Sequence, residues 1–186
     1  MYYNPMKRFI FICLFSVMGF AFAQTAESQT HFKNGLSLGA FWAFNQDKSG
    51  GDFEVGLPII RGEETGFMLR NHFLFSGYGG DGFGQVSVGD KLLIGGYIPT
   101  THFVAKPYGF VSTSLGFFAS SPLEKTVFFS LPLIAEVHLG GGFEFQFIKN
   151  MSFAVEYGGM WSFSVGTDKF WSISNPTLSL GYRVYF

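Results

Sequence analysis

The C-terminal stretch from Leu178 to Phe186 constrains the chain most, because it alternates between two faces that want different solvents. Leu178, Leu180, Tyr182, Val184 and Phe186 fall on one face, and Ser179, Gly181, Arg183 and Tyr185 on the other, which is the two-residue period of a strand. Composition extends that reading along the chain, with 26 Phe and 25 Gly but only 13% charged residues. A soluble β-sandwich turns one face of each sheet to water and does not normally carry so much phenylalanine. Beyond residue 23 no segment holds the roughly 18 uninterrupted apolar residues of a membrane helix. In lipid only helices and closed barrels satisfy their backbone polar groups. Removing helices leaves an all-β barrel whose outer solvent is lipid.

The N-terminus agrees with that destination. Met6-Lys7-Arg8 forms a basic n-region, Phe9 to Phe20 an apolar h-region, and Ala21-Phe22-Ala23 a small-x-small site, the pattern of a secretory signal peptide. Residues 1–23 are expected to be cleaved before Gln24, leaving a short periplasmic lead-in at 24–33 and a barrel at 34–186. The apolar run is too short for an anchoring span. Only Phe9 to Ile12 separate Arg8 from Cys13, too few residues for a lipoprotein leader. Cleavage removes Cys13, the single cysteine, so neither a disulfide nor a thiolate metal site is expected. No cofactor or metal motif stands out.

Alternation predicts eight antiparallel strands. The first, from about Asn34 to Phe44, sets Leu36, Leu38, Ala40, Trp42 and Phe44 outward, with Phe41 an apolar exception on the inner face. Asn45 to Asp52 and Gly77 to Gly82 read as loops from their Gly, Asn, Asp and Ser content. The third strand leaves Asn71 as a polar exception on the lipid face. In the fourth, Asp90 shares a face with Leu92 and Ile94, and a bulge near Gly89 is the expected repair. The longest loop opens at Ala119 and extends toward Pro132. Strand six is the cleanest, with Val137, Leu139, Phe143, Phe145 and Phe147 opposed to Glu136, His138, Glu144 and Gln146. Lys149-Asn150 then makes a tight hairpin turn.

An eight-stranded up-and-down transmembrane barrel is the smallest common closed form, and its even count returns both termini to the periplasmic side. With this architecture, the hairpin from Gly140 to Gly159 and the terminal Gly-Tyr-Arg-Val-Tyr-Phe, the chain resembles the outer-membrane β-barrel superfamily typified by OmpA, OmpX and OmpW. The terminal Phe resembles the C-terminal signal by which such barrels reach their assembly machinery. That resemblance implies a bacterial outer-membrane location. It also implies an assembly signal at Gly181, Tyr182, Val184 and Phe186, with outer-membrane lipid and the assembly machinery as partners. No peptidoglycan-binding domain is expected after the last strand.

The inner face carries the polar chemistry: Glu54, Arg70, His72, Lys106, Glu136, His138, Glu144, Glu156 and Arg183, joined by Lys91 if strand four keeps phase. Buried charges must be paired or wetted, and eight-strand interiors are narrow enough for side chains to fill. The expected role is therefore structural or surface-interacting, around a filled lumen. A narrow OmpW-like conduit for small or hydrophobic solutes is the first alternative. A lipid A acyl-modifying enzyme is the second, with His72 or His138 as base and Ser76, Ser112 or Ser130 as nucleophile. Neither His forms a motif with a Ser or Asp, so no enzyme is expected. Trp42, Trp161, Trp171 and Tyr182 lie near strand ends, as an interfacial aromatic belt requires. The glycine runs lead into no helix and are not phosphate loops. A net charge of −1 supplies no field for nucleic acid.

Overall fold

An alternating strand becomes part of a barrel when its apolar face can meet lipid and its polar face can be enclosed. The computed structural model describes residues 32–45, 48–80, 83–120, 133–165 and 172–186. They form eight long strands: β1 (Ser37–Phe44), β2 (Lys48–Ile60), β3 (Phe67–Gly80), β4 (Phe83–Gly96), β5 (Val104–Ser120), β6 (Leu133–Ile148), β7 (Met151–Val165) and β8 (Ser172–Tyr185). A two-residue segment, Ile98–Pro99, pairs with the start of β5. Each strand pairs antiparallel with the next, and β1 pairs with β8 to close the barrel. The signal peptide, the lead-in up to residue 31, Trp171, Ser130 and most of the predicted long loop lie outside the described residues.

The closing seam shows why the terminal alternation is strict. Leu38 lies opposite Val184, Ala40 opposite Tyr182 and Phe41 opposite Gly181, so a slip of one residue would turn Arg183 to lipid and Val184 to the lumen. Phe41 is 4% exposed inside the barrel. Its ring lies against Gly181, where an added Cβ would stand 2.4 Å from Phe41 Cγ and 2.4 Å from the Ala40 carbonyl. The apolar exception is thus the side chain that fills the space above a glycine.

The tight turns gather at one end, the periplasmic side of barrels of this kind. Gly62 and Gly66 adopt φ of 87° and 69° there, a region that favours glycine. Phe186 N donates to Leu36 O at the same end.

Three expectations are corrected. The first strand begins at Ser37, and Asn34 belongs to the lumen floor. The predicted loops at Asn45 to Asp52 and Gly77 to Gly82 are largely strand, because β2 begins at Lys48 and β3 continues to Gly80; Gly51 pairs with Gly77. Gly50 there serves close packing within the strands, since an added Cβ would stand 2.6 Å from the Tyr78 ring, and the backbone ladder continues through these glycines. No bulge interrupts β4, whose pairing with β3 and β5 runs in unbroken register through Gly89. Asp90 therefore stays on the lipid face and Lys91 turns inward.

The two kinds of glycine separate in a stability measurement. Gly181→Val forces ring and carbonyl apart at the seam and is expected to lower unfolding stability by about 1–3 kcal/mol in urea titrations in lipid vesicles. Gly77→Val, whose added Cβ meets nothing within 4 Å, is expected to stay within about 0.5 kcal/mol of wild type.

Candidate functional site

Seven of the eight strands each send a charged side chain into the lumen: Glu54 from β2, Arg70 from β3, Lys91 from β4, Lys106 from β5, Glu144 from β6, Glu156 from β7 and Arg183 from β8. Every one of them is almost fully buried. Alternation dictates their direction, and the barrel's small radius dictates that they meet.

Arg183 is the hub, and all five of its N–H donors are used. Nε and Nη2 donate to Glu54 Oε2 at 3.0 and 2.9 Å, Nη2 also to Glu156 Oε1 at 3.0 Å, and Nη1 to Glu144 Oε2 at 2.8 Å and the Tyr108 hydroxyl at 3.2 Å. Its guanidinium carbon lies over the Phe41 ring, 4.6 Å from the centroid, a cation–π contact. Lys91 spends its three donors on Glu54 Oε1 at 2.6 Å and on the Glu156 oxygens at 2.8 and 2.6 Å.

On the tight-turn side of this hub, Lys106 meets Glu144 Oε1 at 3.0 Å and lies 4.0 Å from the Tyr185 ring centroid. The Tyr185 hydroxyl donates to the same carboxylate. Asn34 Oδ1 accepts from Lys106 at 3.2 Å and from Arg70 at 2.9 Å. Among the described residues Arg70 pairs with no carboxylate. It donates instead to Asn34, the Gly35 carbonyl and Ser37 Oγ. Three carboxylates and three cations therefore balance in the core of the network, with Arg70 held as a fourth cation by neutral acceptors.

The remaining sequence candidates divide. His72 joins the network through Nδ1, 2.9 Å from Glu54 Oε2. Glu136 stands apart, accepting from Ser162 at 2.9 Å and Ser114 at 3.3 Å. His138 packs edge-on against Phe110 at 4.8 Å. With Ser76, Ser112, Asp52 and Glu136 it borders a cavity of about 30 Å³ on the far side of Lys91 from the tight turns, the space of a water molecule or so. Among the described residues no group of three or more His, Cys, Asp or Glu side chains is arranged to hold a metal ion.

Sequence reasoning missed Asn34, Ser37 and the tyrosine hydroxyls. Alternation already turned Tyr108 and Tyr185 inward, and a buried hydroxyl requires a partner, so that signal was present. Asn34 carried none, because it precedes the first strand. Of the belt candidates, Trp42 lies 6.2 Å from Phe44 by ring centroid near the end of β1, Trp161 occupies the far part of β7, and Tyr182 faces outward near the tight-turn end of β8. A further aromatic run appears at the tight-turn side, where Phe145 stacks on Phe147 at 5.8 Å and Phe103 lies 5.9 Å from Phe147.

Breaking a buried ion pair on one side leaves its partners desolvated and uncompensated. Arg183→Met is expected to lower unfolding stability by about 3–5 kcal/mol, read as a lower urea midpoint in lipid vesicles. Adding Glu54→Gln to Arg183→Met should recover part of that loss. A change below about 1 kcal/mol, within the range of exposed ion pairs, would remove Arg183 from the centre of the network.

No family model and no curated protein matches this chain. Among solved structures, the N-terminal β-barrel domain of Pseudomonas aeruginosa OprF superposes with a TM-score of 0.53 at 12% identity, covering 81% of this chain and 98% of that one. Neisserial surface protein A superposes with a TM-score of 0.51 at 17% identity, covering 81% and 96% respectively. With its enclosed polar lumen and outward apolar face, the chain has the fold of the small eight-stranded outer-membrane β-barrels.

Proposed function

We propose that this protein is a plugged, non-enzymatic outer-membrane barrel with a structural or surface-interaction role. One observation carries the reading: the lumen is crossed at Arg183 by a connected set of ion pairs reaching Glu54, Glu144 and Glu156 on three other strands. Opening a passage would require separating fully buried charges that compensate one another. The cavity beside Lys91 has room for water and none for a solute of metabolite size. That same size argues against acyl chemistry. His138, Ser76 and Ser112 share the cavity's wall, but about 30 Å³ offers little room for an acyl chain, and His72 is fully buried with Nδ1 committed to Glu54. A barrel closed in this way is a rigid frame, and what it offers to the outside is its loops and its lipid-facing surface.

Conductance separates the plugged barrel from the narrow conduit. Refolded wild-type protein in planar bilayers is expected to give no unitary currents, while Arg183→Ala, and more weakly Arg70→Ala, should give openings. Reproducible wild-type channels would replace this reading with solute passage.

A further inference from the structure

Two polar side chains stand where the barrel wall meets hydrocarbon. Asn71 on β3 and Asp90 on β4 both point outward, and Asn71 Nδ2 donates to Asp90 Oδ1 at 2.9 Å. Thr113 on β5 lies opposite Asp90 in register and is exposed as well. This patch is surrounded by apolar wall. Along β3 it is flanked by Leu69 and Phe73, along β4 by Val88 and Leu92, and Phe73 and Val88 are 49% and 57% exposed. Asp90 sits near the middle of β4 (Phe83–Gly96), roughly 20 Å along the strand from either end at about 3.3 Å per residue. At the roughly 40° tilt of such strands that is about 15 Å along the barrel axis, with apolar side chains on either side of it along the wall.

Ionisable groups facing hydrocarbon are costly, and where they occur a partner is the expected reason. One hydrogen bond leaves Asp90 with Oδ2 and Asn71 with Oδ1 and a second N–H still able to bond. Donor and acceptor lie side by side, so the patch is complementary to itself about a two-fold axis, as an isologous contact requires. A carboxylate standing alone would call for a cationic partner instead.

We propose that this wall is a contact between two copies of the chain in the membrane, in which Asn71 of each copy donates to Asp90 of the other. The contact deepens the surface role assigned above and does not depend on the lumen being closed. Sedimentation equilibrium in density-matched detergent tests it, with circular dichroism confirming that each variant is folded. Wild-type protein is expected to show a monomer–dimer equilibrium. Asp90→Leu and Asn71→Leu, both compatible with a lipid-facing strand, should each weaken it by about tenfold or more. Leu180→Val, on the opposite wall, should leave it unchanged. Wild-type protein that stays monomeric at every concentration, or an Asp90→Leu variant that dimerises as well as wild type, would overturn the proposal.

Discussion

Three carboxylates converging on one guanidinium hold the barrel's interior together. Arg183 has no exposure to solvent, and a charge in that position is tolerable only if each donor finds an acceptor. Glu54, Glu144 and Glu156 supply the acceptors, yet three carboxylates together would repel one another. Lys91 and Lys106 balance them, and the Tyr108 and Tyr185 hydroxyls donate further bonds to Glu156 Oε1 and Glu144 Oε1. The network therefore specifies register as well as energy: its carboxylates, lysines and arginines each sit on a different strand, and moving any of those strands by one residue would send its charge into lipid. Whether such a lattice is more stable than an apolar filling is a separate matter, since well-packed hydrophobic replacements of buried ion pairs are often neutral or better. Its contribution here is to permit one arrangement of eight strands.

Fold and lumen were legible to different depths. Alternation located the strands and their inward faces because the outer solvent is uniform: lipid accepts Leu, Phe and Val at each outward position, so the two-residue period survives along the wall. Where glycines replace the side chains that carry the contrast, as at Gly77, Gly79 and Gly80, a continuing strand resembles a loop. The inward charges were visible, but their partnerships were not. Glu54 and Arg183 lie 129 residues apart in the chain, and only closure makes them neighbours. Glu136 and His138 alternate as cleanly as Glu144, yet they lie beyond the hub, among serines and Phe110.

The exceptions to the pattern proved more informative than the pattern. Phe41 breaks alternation on β1 because it fills the space over Gly181 and offers its face to Arg183. Asn71 and Asp90 break it on adjacent strands, and they bond to each other. An irregularity with a bonded partner is a feature of the wall, whereas a bulge at Gly89 would have hidden Asp90 and cost the ladder its continuity. The periodic residues describe a barrel common to many chains, and the exceptions describe this one.

Closure of the lumen at the Arg183 hub is the central claim, and sided chemical access measures it most directly. Single cysteines at Gly80, in the inward register at the loop-side end of β3, and at Ser152, register partner of Arg183 on β7, would be exposed in oriented vesicles to a membrane-impermeant thiol reagent added from the loop side. The account predicts modification at Gly80→Cys and none at Ser152→Cys. Comparable labelling of both from that side would show a continuous aqueous path through the barrel and contradict it.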